Sequence, residues 1–542
     1  MGRTRAALAL ATGIAAAAIL VSGGSSADPR TPPALPGKPA PFLGTAVAGS
    51  GRLTAAVDGY GDVVDLRPRG PAGAPWIAVS SARQAAGSVP SRAGIVPLVR
   101  IGRGPALPLW RANWIRQGYV RGSNVVRTAA GFDRAVVRIL DSVPPPGDAL
   151  VREVSVEAGA RRPITLRFDG STRAATSVAR RCGPRTWWRA GGRLRVRLVC
   201  SFGSAPAARP AARAVAADRR WLRRARPLGG GAPAWARRMY GRSLLALRAL
   251  TDADSGAAAA GARDGWAYVW PRDAGAVAIA LARAGYRREA RRVVRFLRRL
   301  DLDAAARFRG DGRPLEGDRP LPGDAAGWVR AAALAAGLAP RPAGPAPWRG
   351  RGDYGERSGE RGDYIANAIT AGLPGDRLRE AFAARGVLVR KAYDAGSGVD
   401  SALAWAVRPF PRPGLFALVR RSLRPLLDDS GRFGLAPTER WPGGEAWTAP
   451  TAWIAWSLAA LGDRSRALAL IDDLRRAATR AGTLPERVDA RSGIARSTTP
   501  LAWSHAFAAL ALQQLWPPRR EGEIPSQRCG CRAEDPHCSC SR

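Results

Sequence analysis

From residue 44 to about 203, apolar and polar residues alternate in short runs: Leu53 to Asp58, Ala135 to Leu140, Leu150 to Val156 and Ile164 to Phe168. Gly, Pro and Asp punctuate them. Side chains two apart share one face of a strand, so this alternation with regular turns predicts a β-sandwich over 44–204. From Trp235 onward the period lengthens to that of a helix, with Ala, Leu and Arg dominant and Gly/Pro loops of unequal length between segments. The spacing predicts helices over 235–250, 273–284, 287–301, 325–337, 362–373, 376–392, 414–427, 449–461, 463–481 and 500–516. A run of helices without intervening strands is expected of an (α/α)6 barrel over 233–517, with its site built from loops at one rim. An α-helical solenoid is the rival, but no fixed-period repeat supports it.

The ends and joints differ from both regions. Arg3 and Arg5 precede an apolar run, Ala6 to Val21, and small residues up to Ala27, the layout of a secretory signal over 1–27. That run is shorter than a membrane span, and no later segment is long enough, so the expectation is a secreted protein. A Pro-rich linker over 28–43, an Ala/Arg/Pro linker over 205–232 with a partly helical course as an alternative, and a Cys-rich tail over 518–542 complete the division.

The formal charge of +42 raises nucleic-acid binding as a candidate. Lys38 and Lys391 are the only lysines, however, and arginine is spread along the whole chain. We therefore expect no specific nucleic-acid partner, but electrostatic attraction to anionic cell-wall polymers. Six cysteines in an exported chain suggest disulfides. Cys182 and Cys200 flank strand-like runs and form a candidate pair, whereas Cys529, Cys531, Cys538 and Cys540 crowd the tail without the C-x-x-C spacing usual for zinc. Asp252 to Gly256 begins like a calcium loop, but the twelfth position is Arg263, not Glu. With only two histidines and no phosphate loop, neither a histidine triad nor a metal or other cofactor is expected.

Three segments carry the candidate chemistry. Trp266 to Asp273 and Thr438 to Trp447 each place aromatic residues and charges just before a helix, and Leu484 to His505 places Glu486 on a turn-rich loop before the last helix. Loops held by a rigid scaffold are where catalytic groups tend to sit. Together, and in this order, the segments resemble the inverting exo-acting α-glucosidases of the glucoamylase family, glycoside hydrolase family 15, which includes glucodextranases and bacterial trehalases.

That resemblance implies a fold, a substrate class and roles. The fold is an N-terminal β-sandwich followed by an (α/α)6 barrel, and the substrates are oligo- or polysaccharide α-glucans. Inverting hydrolysis needs one carboxyl to protonate the leaving oxygen and one carboxylate to activate water, ~6.5 to 9.5 Å apart. Glu486 matches the family base. Glu356 aligns best with the acid, Glu360 is the second choice, and loss of the acid is the third reading, because Gly355 and Arg357 stand where an aromatic residue and a second carboxylate are expected. Arg272 and Asp273 resemble the pair that grips the non-reducing sugar, and Arg440 the arginine shared between sugar subsites. Trp270, Trp441, Trp447 and Trp503 are candidate sugar-facing rings. The implied activity is release of glucose from non-reducing ends with inversion. Trehalase or glucodextranase activity, and a non-catalytic carbohydrate-binding or cell-envelope role on a decayed barrel, are the alternatives.

Overall fold

The computed structural model describes residues 46–80, 94–159, 162–169, 185–202, 209–340 and 347–518. The expected secretory leader and Pro-rich linker, Cys182 and, save for Pro518, the Cys-rich tail lie outside them.

The N-terminal region holds thirteen strands among the described residues, in three antiparallel sheets. β1 (Ala46–Gly49), β2 (Thr54–Val57), β3 (Val63–Arg67) and β4 (Ile77–Ala78) pair in sequence order. β5 (Val96–Ile101) and β6 (Leu107–Pro108) form the second sheet with β11 (Ile164–Asp169) and β12 (Arg185–Arg189), ordered β12-β11-β5-β6. The third, ordered β13-β10-β9-β8-β7, joins β7 (Trp114–Tyr119), β8 (Val126–Phe132), β9 (Ala135–Ser142), β10 (Ala149–Ala158) and β13 (Arg193–Ser201). Alternation sets which side chains point inward: in β9, Ala135, Val137 and Ile139 are buried while Arg138 is exposed. A charged pair ties the sheets together. Fully buried Arg152 bonds Asp141 at 2.6 Å and the carbonyl of Ile95 at 3.0 Å, so the ion pair is also hydrogen-bonded to backbone. Cys200, in β13, is buried and disulfide-bonded.

The span read as a linker contains a helix, α1 (Ala211–Leu222), which packs on β9 and on α2 (Ala234–Ala249). Ala214, Asp218 and Trp221 recur on its buried side, a pattern obscured in the sequence by interleaved arginines. Hydrogen bonds bind the β-region to this start of the helical region: Asn124 donates to the carbonyls of Gly49 and Leu245, and its N–H donates to Asp218.

Six inner segments then close a ring. α3 (Pro271–Arg283) packs on α5 (Ala325–Ala335), α5 on α6 (Ile365–Ala371), α6 on a 3-10 segment (Ser401–Ala406), that segment on α10 (Thr448–Ala460), α10 on α12 (Ala502–Leu515), and α12 on α3. Helices apolar on every side belong inside, and every residue of α10 from Thr448 to Leu458 is buried. Small residues let the segments approach: a Cβ at Gly327 would lie 2.3 Å from the carbonyl oxygen of Thr370. Around the ring lie α2 on α12, α4 (Arg287–Leu297) on α3, α7 (Gly375–Phe382) on α6, α8 (Phe416–Ser422) on the 3-10 segment, and α11 (Arg464–Ala477) on α10. α9 (Arg424–Asp428) follows α8.

Two of the expected helices are broken by other structure. The segment expected over 376–392 ends at Phe382 and turns into the hairpin β14 (Ala383–Ala384) and β15 (Val387–Leu388). Arg385 and Gly386 between them both have positive φ, the conformation of a two-residue hairpin turn that ends a helix outright. The segment expected over 414–427 divides at Leu423, with Pro425 in the first turn of α9.

Candidate active site

The ring encloses aromatic residues that form the floor of a pocket. Trp328 meets Trp405 edge to face at 5.1 Å between ring centres, Trp405 meets Trp453 at 5.3 Å, and Trp453 meets Trp503 at 5.2 Å. Tyr354 rests on Trp405 and Trp453, and its hydroxyl lies 2.9 Å from Asp400 and 3.0 Å from the carbonyl of Pro437. Tyr354 and Trp503 reach the pocket surface, so the core sets the position of the site.

Arg272 and Asp273 enter from the first turn of α3. Arg272 donates to Asp324 at 3.0 Å and to Glu356 at 3.0 Å, and its guanidinium lies 4.9 Å from the ring centre of Trp503. Asp273 lies beside it, with 3.7 Å between Arg272 Nε and Asp273 Oδ2. Burial pushes the Asp273 carboxyl up to about 7, with Glu356, Glu486 and Asp324 adding to the rise and Arg272 opposing it. Asp324 is raised for the same first cause, burial, against the pull of Arg272.

Glu356 is almost fully occupied. It accepts from Trp270 Nε1 at 2.9 Å, from Arg272 at 3.0 Å and from Arg319 at 3.1 Å, with its side chain 3% exposed. Its backbone lies in the left-handed region at φ 47°, which side chains other than glycine adopt at a cost. The turn that imposes this is tied down by Tyr354 on one side and by the ion pair of Asp353 with Arg390 on the other.

Glu486 approaches from the other loop. Trp266 Nε1 donates to it at 3.3 Å, Ser497 donates to its other oxygen, and Arg487 Nε lies 3.6 Å away. Pairing of β16 (Glu445–Trp447) with β17 (Arg487–Asp489) sets Trp447 opposite Arg487 and brings Trp447 to the pocket wall. Behind the loop, His505 Nε2 accepts from Leu484 N–H at 3.0 Å and its Nδ1 lies 3.0 Å from Ser243 Oγ.

Pocket and partners thus bring together Glu486, Glu356, Arg272, Asp273, Trp270, Trp447 and Trp503. Three expected residues stay outside. Arg440 is exposed on the turn from Thr438 to Trp441, outside the pocket lining, and has no hydrogen bond or ion pair among the described residues. Trp441 stands edge-on to Trp447 at 5.0 Å, one layer behind the wall. Glu360 pairs with Arg357 and lies apart from the pocket, which leaves Glu356 as the carboxylate from this segment.

Among solved structures, a bacterial glucoamylase complexed with acarbose matches 89% of this chain and 95% of its own, at TM-score 0.57 and 11% identity. The chain has a glucoamylase-like fold. The match spans too much of the chain to rest on the helical ring alone, so it takes in the β-region as well. A structure titled "Glycosidase Wild Type" matches 53% of this chain and 99% of its own at TM-score 0.45 and 21% identity. The glucoamylase from Saccharomycopsis fibuligera matches 52% and 94% at TM-score 0.42 and 12% identity. No family model matches the sequence, and no curated protein does.

Within this glucoamylase-like fold, the sequence reading missed Arg319, Asp324, Tyr354 and Trp266 as parts of the site. Trp266 opens the aromatic segment that ends at Asp273, so its place was within reach. Arg319 and Asp324 stand in loop sequence with no periodic or motif signal, and only the folded ring brings them to Arg272 and Glu356. No cluster of metal-binding side chains occurs among the described residues.

Proposed function

We propose that the protein is an exported glycoside hydrolase that releases glucose from the non-reducing ends of α-glucosides with inversion, on a helical ring of (α/α)6 type. The observation that carries this reading is one pocket lined by two carboxylates from separate loops, Glu356 and Glu486, together with Arg272, Asp273 and the rings of Trp266, Trp270, Trp447 and Trp503. Asp273 accepts from sugar hydroxyls, and Arg272 holds it in place.

In the reaction, Glu486 takes a proton from a water molecule as the water oxygen bonds to C1. The C1–O bond to the leaving sugar breaks, and a protonated Glu356 delivers its proton to the departing oxygen. Glu486 is suited to the base role by two neutral donors, Trp266 and Ser497, which orient it. Trehalose and α-1,6-glucosides fit the same chemistry as maltose, since the mechanism acts on the glucose it retains.

One observation favours the non-catalytic reading, in which the pocket binds carbohydrate without cleaving it: both oxygens of Glu356 are already taken up, by Trp270, Arg272 and Arg319. The deciding assay is glucose release from maltose, isomaltose, trehalose and starch by wild type, Glu486→Gln and Glu356→Gln. Turnover by wild type that is lost in Glu486→Gln supports the hydrolase. Binding of these sugars with no glucose released by wild type supports the non-catalytic role.

A further inference from the structure

A second concavity opens behind the aromatic floor, at the end of the ring away from the two carboxylates. Arg283, the last residue of α3, lies eleven residues beyond Arg272, roughly 16 Å along the helix axis. Together with Ile279 on the same helix, Leu334 on α5, Trp456 on α10 and Phe410 after the 3-10 segment, it lines a groove of about 560 Å³. The base of the groove is continuous with the floor of the pocket: Phe410 stands edge-on to Trp328 at 5.1 Å, and Trp456 tilts against Phe507 at 6.1 Å. One wall is preformed. Arg412 donates to the carbonyls of Leu373 at 2.8 Å, Ile369 at 3.1 Å and Phe410 at 3.2 Å, which ties the chain after the 3-10 segment to α6.

The charge of this groove is one-sided. Arg283, Arg330 and Arg408 line it, and no carboxylate does. None of the three takes part in an ion pair among the described residues. Arg330 donates to the carbonyl of Thr370 at 3.3 Å, while Arg408 reaches only the carbonyl of its neighbour Val407, at 3.5 Å, and leaves its Nε buried without a partner. The guanidinium of Arg283 lies 5.8 Å from the ring centre of Trp456. Burial, and then the like charge of Arg408, lower the basicity of Arg283, so the two cations stand close enough to oppose each other. A helix dipole accounts for Arg283, since a cation in the last turn offsets the negative end. It does not account for Arg330 in the middle of α5, nor for Arg408 beyond the 3-10 segment.

An apolar base beneath guanidinium groups that lack anions matches a ligand of the converse build, an anion on an apolar body. The volume is that of a small-molecule site rather than of an extended surface. Two guanidinium groups that repel each other are both relieved by a dianion, and a phosphate monoester carries about −1.5 to −2 at pH 7 where a carboxylate carries a single charge. We propose that this groove is a binding site, separate from the catalytic pocket, for a small soluble organic phosphate with an aryl or short alkyl body, with Arg283 and Arg408 on the phosphate and Leu334 and Phe410 against the body. The proposal does not depend on the hydrolase reading.

The experiment is calorimetric titration of the full chain with phenyl phosphate, inorganic phosphate and benzoate, alongside flotation with phosphatidylglycerol vesicles. Wild type is compared with the double variant Arg283→Gln/Arg408→Gln, with Leu334→Glu, which sets a carboxylate at the exposed lip of the groove, and with Arg103→Gln on the exposed β5–β6 turn. Wild type is expected to bind phenyl phosphate about tenfold or more tightly than inorganic phosphate, through burial of the ring, and more tightly than benzoate. Affinity for phenyl phosphate should fall about tenfold or more in the double variant, as loss of charge-assisted contacts requires, and in Leu334→Glu, and stay at the wild-type value in Arg103→Gln and in the presence of saturating maltose. Equal affinity for inorganic and phenyl phosphate, or an equal loss in Arg103→Gln, overturns the proposal in favour of diffuse attraction to an arginine-rich surface. Wild-type affinity in both groove variants, or competition by maltose, places the ligand elsewhere and overturns it as well. Tighter binding of benzoate overturns the choice of phosphate, and binding to the vesicles without binding to phenyl phosphate overturns the choice of a soluble ligand.

Discussion

His505 holds the chain that carries Glu486: its Nε2 accepts from the N–H of Leu484 at 3.0 Å, two residues before the carboxylate. On its other side, Nδ1 meets Ser243 Oγ at 3.0 Å, so a residue of α2 and a residue of α12 together fix the base loop. Thr448 adds a second tie, through its N–H to the carbonyl of Glu486 at 3.1 Å and its hydroxyl to Ser504 at 2.8 Å.

For this clamp to work the imidazole must stay neutral, since Nε2 has to accept. Burial lowers its pKa from 6.5 to about 3, with Arg242 adding to the effect. A base held below its ordinary pKa stabilises the fold fully above about 6.5, and that contribution is lost as pH falls towards about 3. His505→Gln is expected to cost ~1 to 3 kcal/mol near neutral pH through unsatisfied buried partners and to flatten the acid-side slope. Denaturant unfolding from pH 3 to 8 measures both. Turnover should fall more than apparent affinity, because the variant disturbs the position of Glu486 and leaves the sugar contacts in place. An unchanged slope would show that His505 is not the titrating group.

Asp273 has the opposite sign. Its folded pKa, about 7, lies above its ordinary 3.8, so the folded state favours its proton. The penalty for ionising it is absent below about 3.8 and complete above about 7. Asp273→Asn is therefore expected to match wild type in thermal stability near pH 4 and exceed it near pH 8, while losing sugar binding. Equal stability differences at both pH values would contradict the shift.

The outcome for the sequence reading follows from what each residue's position depends on. Local pattern located the strands of the β-region and most of the inner helices, because alternation and apolar spacing are properties of a few neighbouring residues. Glu486 is singled out by the resemblance of its loop to the glucoamylase family rather than by local pattern, which alone reads it as a solvated loop charge. Local pattern failed where position depends on distant partners. Ser401–Ala406 is too short for a helical period, yet it closes the ring between α6 and α10. Arg319 and Glu356 lie 37 residues apart on two irregular loops, and nothing in either stretch announces their pairing.

Phe507 tests the aromatic floor. It is fully buried and packs against Trp328 at 5.8 Å and Trp453 at 5.5 Å. Phe507→Ala is expected to destabilise by ~3 to 5 kcal/mol through lost burial and the cavity left behind. A loss well under 1 kcal/mol in urea or guanidinium unfolding would show that the floor does not depend on this ring.

The expected bridge between Cys182 and Cys200 is tested by non-reducing peptide mapping of the full chain. Cys200 is disulfide-bonded, and Cys182 is the cysteine nearest to it in sequence. A linked peptide containing both is the predicted result. A peptide joining Cys200 to one of the tail cysteines would contradict it.

The central claim is that Glu486 activates water on the face of the sugar opposite the leaving group. Proton NMR of the first glucose released, read before mutarotation, tests it most directly when wild type and Glu486→Gln are followed side by side on the best α-glucoside. The account predicts β-glucose from wild type and a fall in turnover of ~10² to 10⁴ in the variant, whose amide cannot take a proton from water. Release of α-glucose, or wild-type turnover by Glu486→Gln, would contradict it.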